Sequence, residues 1–393
     1  MPLPKSLSCW ATTAPGVEQV LARELRGLGL TPGDIEPGGV EFAATAAQLA
    51  DSVIQLRTAN RVAVRLASFE ARAFGELERR GAKVPWEEVV KPGGAVHFRV
   101  TSKQSKLFHE DGIAERLERA VAGLVKGAHG IRAASAAEEM ERDLTRVPRV
   151  QRFIVRASRD EFTISADASG ALLHLRGWRQ AVAKTPLRET LAAALLLASG
   201  WDPSEPLLDP FCGSGTIAVE AVLLARRIAP GRGRRFAMET WPAINSNVIS
   251  DARKRAGAKE RKGVAAITGR DRDAGAIAAS IANAERAGVA GDITFTQAAL
   301  SSIEPDDGNG WIVTNPPYGE RIGERTALRD LYAVLGRILR ERRPNWGLAM
   351  LSADRMLEAQ TGLEFKSVLS TTNGGIPVRV VKSTPTCSSP ASP

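Results

Sequence analysis

The stretch Leu207–Thr216, with the sequence LLDPFCGSGT, is followed by a helical pattern that runs from Ile217 to about Arg227. An apolar run, a glycine-rich turn and a helix in this order predict a buried strand that ends at the turn. Glycines let the backbone approach a ligand closely, and the first turn of a helix presents free N–H groups and the positive end of its dipole. The stretch therefore predicts an α/β domain with a site for a carboxylate or phosphate group.

Taken alone, this motif leaves the ligand open. Residues Gly213–Ala218 match the G-x-G-x-x-A form of the dinucleotide fingerprint. The Gly-Lys-Ser/Thr ending of a phosphate-binding P-loop is missing, which argues against that class of site. A nicotinamide enzyme would fit these glycines equally well, so a second motif must decide.

The second motif is Val313–Arg321, with the sequence VTNPPYGER, which follows the β-prone run Trp311–Val313. The two prolines fix the backbone and remove two N–H donors, so neighbouring carbonyls are available to a ligand. The Asn315 side-chain oxygen and the Pro316 carbonyl form a pair of acceptors, which suits an exocyclic NH2 group. Tyr318 can stack on the flat base that carries the amine. The alternative is a Pro-Pro turn with an ordinary buried tyrosine.

Together, Asp209–Thr216 and Asn315–Tyr318 resemble the class I S-adenosylmethionine (SAM)-dependent methyltransferases that act on amino groups. The longer form Asn315–Arg321 is similar to the bacterial RNA guanine-N2 methyltransferases that carry a THUMP domain, the RlmL-like group. The resemblance covers roughly Leu7 to Lys382 and implies SAM as the cofactor and RNA, most specifically 23S rRNA, as the partner.

The resemblance also assigns roles to individual residues. The implied catalytic residues are Asn315, Pro316, Pro317 and Tyr318. The implied SAM-binding residues are Asp209, Pro210, Phe211, Gly213, Ser214, Gly215, Thr216 and Asp271. Asp271 follows the second predicted strand of the domain, where an acidic side chain is well placed to bind ribose hydroxyls, and Asp273 is predicted to cap the next helix. After the third strand, Ala298 and Ala299 replace the acidic residue that the family often has near adenine.

Upstream of this domain, short strands alternate with amphipathic helices. The run Ser105–His109 resembles part of the THUMP domain, which binds structured RNA, and the implied RNA-binding residues are Lys103, Lys106, Phe108 and His109. Arg146, Arg149 and Arg152 are further candidates for phosphate contacts. The alternative is that Leu107 and Phe108 fill a core and that the charges lie on a solvated face. Thr185 and Pro186 predict the start of a helix from Leu187 to Ser199 with Gly200 as its C-cap.

The predicted fold class is α/β, with a C-terminal doubly wound Rossmann-like methyltransferase sheet and an N-terminal α+β ferredoxin-like and THUMP region. The predicted division of the chain is an N-terminal ferredoxin-like unit (1–70), a THUMP-like domain (71–167), a linker and packing helix (168–200), a methyltransferase domain (201–383) and a disordered tail (384–393). Within the methyltransferase domain, residues 229–262 are rich in Arg, Gly and Lys and are interpreted as an insertion near the RNA.

Composition narrows the class of protein. The 393 residues carry a formal net charge of +9, which favours a polyanionic partner, although a GC-rich genome also enriches arginine. The three cysteines are far apart in sequence, which argues against a disulfide framework or a zinc site and fits a reducing cytoplasm. No metal site, signal peptide, membrane span or obligate protein partner is predicted, and the predicted location is cytoplasmic.

The predicted function is transfer of a methyl group from SAM to the N2 amine of a guanine in 23S rRNA. The nearest alternative is a tRNA guanine-N2 methyltransferase, since related THUMP enzymes use the same two motifs. A DNA adenine-N6 or protein glutamine methyltransferase would use the same four residues but leaves the THUMP-like region unexplained. A non-catalytic RNA-binding factor in ribosome assembly would keep that region but has no need of a SAM site.

Overall fold

The computed structural model describes residues 4–132, 143–180, 187–318 and 325–383. The chain divides into two compact units. The first unit comprises Met1–Thr13, Leu21–Arg176 and Ala229–Ala258, and the second comprises Ala14–Val20, Gly177–Ile228 and Lys259–Pro393.

The first unit is built on an eight-stranded sheet with the order β2-β3-β1-β4-β8-β7-β5-β6. Its strands are β1 (Leu7–Thr12), β2 (Pro32–Glu36), β3 (Gly39–Ala44), β4 (Arg61–Glu70), β5 (Ala95–Lys103), β6 (His129–Gly130), β7 (Val150–Ser158) and β8 (Glu161–Asp167). Most neighbours are antiparallel, but β5 runs parallel to both β6 and β7. The predicted ferredoxin-like and THUMP-like parts therefore share one continuous sheet through the pairing of β4 with β8.

Helices of this part of the chain are α1 (Glu18–Gly27), α2 (Ala46–Gln55), α3 (Phe74–Gly81), α4 (Glu110–Leu124) and, much later in sequence, α7 (Asn247–Gly257). Helix α2 begins with a capping box, in which the Thr45 hydroxyl accepts from the Gln48 backbone and the Gln48 side chain accepts from the Thr45 backbone. Residues of β1 and β5 alternate between buried and more accessible positions, so one face of the sheet is packed into the core.

Residues Ala229–Ala258 belong to the first unit, although they follow the first strand and the second helix of the second unit in sequence. Phe236, Met238 and Trp241 lie in the core of the first unit, and the Trp241 indole donates to the Gln151 side-chain oxygen over 2.7 Å. The Arg234 guanidinium is buried on the carbonyls of residues 171, 172 and 175, and burial lowers its pKa to about 9. The structure thus assigns this segment to a different unit from the remainder of residues 201–383. The domain boundaries given in the sequence analysis stay a prediction.

The second unit contains a seven-stranded sheet with the order β11-β10-β9-β12-β13-β15-β14. Strands β11, β10, β9, β12 and β13 are parallel neighbours, and β15 and β14 follow as antiparallel strands. The strands are β9 (Leu207–Asp209), β10 (Ile267–Asp271), β11 (Ile293–Gln297), β12 (Gly310–Thr314), β13 (Trp346–Ser352), β14 (Lys366–Asn373) and β15 (Ile376–Ser383). The helices are α5 (Glu189–Ser199), α6 (Thr216–Ala225), α8 (Ala274–Ala287), α9 (Arg325–Glu341) and α10 (Arg355–Gln360).

Every residue of β9, β12 and β13 is buried, as expected for central strands that helices cover on both faces. Short 3-10 helices complete the two units at Trp86–Glu88, Ala237–Thr240, Ala290–Asp292 and Leu300–Ser302. The predicted fold class is confirmed: the C-terminal sheet is doubly wound, and the N-terminal region is α+β.

Several local predictions are confirmed within the described residues. Gly200 ends α5 in a left-handed conformation, and Asp273 caps α8 by accepting from the N–H groups of Gly275 and Ala276. Asn373, Gly374 and Gly375, whose sequence predicts a hairpin, form the turn between β14 and β15. Strand β2 was not predicted, because its residues are nearly all exposed and carry no alternating apolar pattern.

Candidate methyltransferase site

The two sequence motifs lie side by side in the second unit. Strand β9, which ends at the glycine-rich turn, pairs with β12, which ends just before Asn315, in the register Leu207 with Trp311 and Leu208 with Ile312. Strand β10 flanks β9 on its other side. Strands β10 and β11 are added on one side of β9, whereas β12 and β13 are added on its other side. The strand order therefore reverses between β9 and β12, and this is the switch point at which doubly wound sheets bind ligands.

The glycine-rich turn joins β9 to α6, in the order of strand, turn and helix that the sequence predicted. Gly213 and Gly215 have φ angles of 52° and 79°, and α6 begins at Thr216. A Cβ atom at Gly215 would lie 3.0 Å from the Ser280 Cβ and 3.1 Å from the Phe295 ring, so the turn is packed too closely for a side chain. Two side chains of α8 support it: the Ser280 hydroxyl donates to the Gly213 carbonyl over 2.8 Å, and the Asn283 amide donates to the Ser214 carbonyl over 3.0 Å.

Asp271 ends β10 beside this turn. Its carboxylate accepts from the Gly213 N–H and from the Asp273 N–H, each over 3.0 Å. A carboxylate has about four lone-pair sites, so acceptor capacity for ribose hydroxyls remains after these two bonds. The Asp271 carbonyl also accepts from the Ala298 N–H over 2.9 Å, which joins the ends of β10 and β11.

Asp209 links the two motifs directly. Its carboxylate is buried and accepts from the Thr314 hydroxyl over 2.6 Å and from the Phe211 N–H over 3.2 Å. Burial raises the pKa of this carboxyl to about 7, and the charge of Asp271 adds to the rise, while the two hydrogen bonds oppose it. Its role as a SAM ligand stays a prediction, because the contacts that the structure gives it are within the protein.

The loop after β12 presents an unused acceptor. The Asn315 side-chain oxygen is buried and has no hydrogen-bond partner among the described residues. The Pro316 carbonyl likewise accepts no hydrogen bond from a described residue. The next carbonyl, that of Pro317, lies 3.5 Å from the Tyr332 hydroxyl. A buried polar atom without a hydrogen-bond partner lowers the stability of the folded protein. The position of the Asn315 oxygen at the end of β12 therefore suits a ligand that donates a hydrogen bond to it.

Tyr318 is half-buried at this rim. Its hydroxyl accepts from the Asn373 side-chain amide over 2.7 Å, and burial raises its pKa. Asn373 lies at the tip of the β14–β15 hairpin, far away in sequence. Sequence reasoning identified Asn373 only as a turn residue, and no local signal connects it with Tyr318. The rest of the second motif, Gly319–Arg321, lies outside the described residues, as do Thr185 and Pro186.

The residues predicted to bind RNA lie in the first unit. Lys103 and Lys106 are exposed, and the Lys106 N–H donates to the Asp160 carboxylate over 2.7 Å. Leu107 is buried in the core, whereas Phe108 is 66% exposed and its ring centroid lies 4.3 Å from that of His109. The core alternative therefore holds for Leu107 but not for Phe108.

One candidate phosphate contact is wrong. Arg152 lies on β7 and is buried, so its guanidinium is not available at the surface for a phosphate contact. Arg146 and Arg149 are exposed, and Arg146 forms an ion pair with Asp143 over 3.1 Å.

Two further kinds of feature are absent from the described residues. These residues contain no cluster of three or more His, Cys, Asp or Glu side chains that could bind a metal ion. None of the helices in the same ranges has the length and apolar character needed to cross a bilayer.

The geometry of the second unit fits SAM. The glycine turn lets a ligand approach the backbone closely, and Asp271 offers acceptors beside it. The Asn315 oxygen, which no described residue hydrogen-bonds, lies at the end of the strand next to β9. These residues would bind the cofactor and the acceptor group on either side of the switch point.

Comparisons with known proteins agree with this geometry. A family model described as "RMKL-like, methyltransferase domain" matches residues 176–382, and one described as "RlmL ferredoxin-like domain" matches residues 8–63. A Synechocystis protein named "Putative RNA methyltransferase" is 32% identical over 377 residues, which cover 95% of each chain.

Two solved structures are similar over nearly the whole chain. A "predicted N6-adenine-specific DNA methylase" from Listeria monocytogenes is 32% identical with a TM-score of 0.82 and covers 96% of both chains. A second protein, solved "complexed with SAH", is 28% identical with a TM-score of 0.83 and covers 97% of this chain and 99% of its own. SAH is the product that SAM leaves after it gives up its methyl group. The chain therefore belongs to the RlmL-like family of SAM-dependent methyltransferases.

Proposed function

We propose that this enzyme methylates the exocyclic N2 amine of a guanine in RNA, with 23S rRNA as the substrate. The observation that carries the proposal is the buried side-chain oxygen of Asn315, for which the described residues provide no hydrogen-bond partner. It lies at the end of β12, next to the glycine turn of β9. An NH2 group donates two hydrogens, and the Asn315 oxygen and the Pro316 carbonyl are two acceptors on adjacent residues.

The residues act mainly by positioning. SAM supplies a methyl group that its sulfonium already activates, so the protein has to place the amine nitrogen against it. Hydrogen bonds to Asn315 and Pro316 favour a more pyramidal amine, whose lone pair is then less delocalised into the guanine ring. No general base is needed at this step, because the nitrogen becomes cationic and then loses its proton.

Tyr318 is proposed to stack on the target base. The Asn373 amide donates to its hydroxyl, and its ring packs against the apolar core of the second unit. A base paired in a duplex cannot bring its amine to the buried Asn315 oxygen, so the target guanine is unpaired or flipped out of its helix.

The choice of RNA rests on separate observations. The Synechocystis relative is named as an RNA methyltransferase, and the first unit carries the exposed Lys103, Lys106, Phe108 and His109, which we assign to RNA binding. Cationic and aromatic side chains together suit an unpaired nucleic acid strand. The Listeria relative is named as a DNA methylase, so DNA adenine is tested beside tRNA.

The experiment is transfer of labelled methyl from SAM to rRNA, tRNA and DNA purified from a strain that lacks the gene, followed by nucleoside analysis. We expect N2-methylguanosine in the large-subunit rRNA. Label in tRNA would replace 23S rRNA by the tRNA alternative, N6-methyladenine in DNA would refute the guanine assignment, and RNA binding without any label would favour a non-catalytic factor.

Asn315→Ala tests the carrying observation. We expect it to lower the transfer rate by about 100-fold, as misplacement of a reacting group does, with SAM affinity by calorimetry unchanged. Asn345→Ala is the matched control, because Asn345 is an exposed asparagine whose side chain, among the described residues, bonds only the Asp307 carbonyl. Full activity of Asn315→Ala would remove the proposed role of this residue.

A further inference from the structure

Strands β5 and β7 of the first unit expose basic side chains on one face. The core-facing residues of β5 are Val96, Phe98 and Val100, which pack in the cluster that also contains Leu77 of α3 and Leu117 of α4. Alternation along a strand places His97, Arg99, Thr101 and Lys103 on the opposite face, away from these helices.

The register adds residues of β7 to this face. Strands β5 and β7 pair in parallel, with Thr101 opposite Arg156 and Lys103 opposite Ser158. Phe153, Val155 and Ala157 of β7 are buried, so Arg156 and Ser158 share the outward side. Strand β8 continues it with Thr163 opposite Arg156. We call Arg99, Thr101, Lys103 and Arg156 the basic face.

The charges of the basic face are not neutralised within the described part of the chain. Arg99, Lys103 and Arg156 are exposed, and none of them takes part in a salt bridge with a described residue. Elsewhere in the first unit the pattern differs, because Arg65 pairs with Glu41 over 3.3 Å and Arg72 pairs with Glu70 over 2.6 Å.

The basic face leads directly to the proposed RNA-binding loop. Strand β5 ends at Lys103, whose carbonyl accepts from the Arg159 N–H over 3.2 Å, and the loop continues to Lys106 and the Phe108–His109 ring pair. Guanidinium groups and hydroxyls bind phosphate oxygens, whereas aromatic rings stack on bases. A single strand of RNA presents both phosphate oxygens and unpaired bases.

We propose that the basic face binds the sugar–phosphate backbone of the RNA substrate, so that unpaired bases reach Phe108 and His109. This inference rests on the proposed function, since it takes RNA as the substrate. It assigns Arg99, Thr101 and Arg156 a role that the sequence motifs did not indicate.

The test is a charge-reversal pair, Arg99→Glu with Arg156→Glu, measured by equilibrium binding to unmethylated rRNA over a range of salt concentrations. The matched control is Arg79→Glu with Arg80→Glu, two exposed arginines of α3 that make the same change in charge on the helical side of the sheet. We expect the basic-face variant to bind RNA about tenfold more weakly or worse. The slope of log affinity against log salt concentration should become shallower by about 1.4, because two phosphate contacts are lost and each contact to a single strand accounts for about 0.7.

The control variant should keep its RNA affinity close to that of the wild type. Equal losses in both variants would mean that only the net charge matters and would overturn the inference, as would no loss in the basic-face variant. The conservative pair Arg99→Lys with Arg156→Lys should retain binding, which separates an electrostatic role from misfolding, and SAM affinity should be the same in every variant.

The wild-type enzyme separates this inference from the proposed function. If it methylates rRNA while the charge-reversal pair binds as tightly as the wild type, only the basic face is refuted. If the wild type neither binds nor methylates any RNA, the proposed function fails, and the inference fails with it.

Discussion

Asp209 combines burial, a shifted pKa and a position between the two motifs. Its carboxyl has a pKa of about 7 in the folded protein, because burial disfavours the charged form. In the unfolded chain an aspartate has a pKa of about 3.9. Between these two values the folded state binds the proton that the unfolded state has lost, so this group contributes stability at low pH that is lost as the pH rises towards about 7.

Asp209→Asn should therefore flatten the dependence of stability on pH. The difference in unfolding free energy between variant and wild type should move in favour of the variant from about pH 4.5 to pH 7.5, since asparagine does not titrate. Any cost of the new amide donors is constant with pH. Denaturant unfolding at several pH values measures this change.

Asp202→Asn is the control for this series, because Asp202 is exposed and its pKa is lowered by the Ser204 hydroxyl and N–H. A stability difference between Asp209→Asn and the wild type that is the same at every pH would contradict the burial of a titrating carboxyl at this position.

The hydrogen bond between Asn373 and Tyr318 joins the hairpin to the proposed catalytic loop. If it orients the stacking ring, Tyr318→Phe and Asn373→Ala remove the same interaction from its two ends. We expect each change to lower kcat/KM for RNA, and the double variant to be no worse than the poorer single one, with a coupling of about 1 kcal/mol. SAM affinity should not change.

The control cycle combines Tyr318→Phe with Asn345→Ala, whose sites share no contact, and these effects should add. Additive effects for Tyr318→Phe and Asn373→Ala as well would show that the hydrogen bond does not orient the ring during the reaction.

At the scale of elements, the glycine turn between β9 and α6 depends on close packing against α8. Gly215→Ala places a methyl group 3.0 Å from the Ser280 Cβ at a φ of 79°, which an alanine adopts only under strain. We expect a loss of roughly 1–3 kcal/mol in unfolding free energy together with weaker SAM binding.

Gly291→Ala is the matched control, because no atom lies within 4 Å of the added methyl group and its φ is not positive. Calorimetry and thermal unfolding measure both effects. Unchanged SAM affinity in Gly215→Ala would remove this turn from the proposed cofactor site.

At the scale of the whole molecule, the segment Ala229–Ala258 divides the methyltransferase sequence but completes the core of the first unit. Trp241 is nearly inaccessible there and donates to Gln151 at the start of β7. Trp241→Ala removes a large buried ring, which typically costs about 3–5 kcal/mol.

We expect Trp241→Ala to raise hydrogen exchange in β5, β7 and β8, while β9, β10 and β12 keep their protection. Trp201→Ala is the reciprocal control, because Trp201 is buried in the core of the second unit and should produce the opposite pattern. Lost protection confined to β9 and β10 in the Trp241 variant would contradict the assignment of this segment to the first unit.

Much of the fold could be predicted from the sequence because its signals are local. The glycine turn, the Asp273 cap, the Gly200 C-cap and the hairpin at Asn373 depend on residues only a few positions apart. The neighbouring positions of β9 and β12 follow from the expected doubly wound order, and the structure confirms them.

By itself, the sequence determined the identity of both motifs, the α/β class and the residues at each turn, because backbone conformation and capping are set within a few residues. Only the tertiary structure decided the contacts between distant residues: Asn373 with Tyr318, Trp241 with Gln151, Thr314 with Asp209, and the burial of Arg152. The physical reason is that burial depends on which elements pack together, and the local pattern of apolar residues does not name the partner.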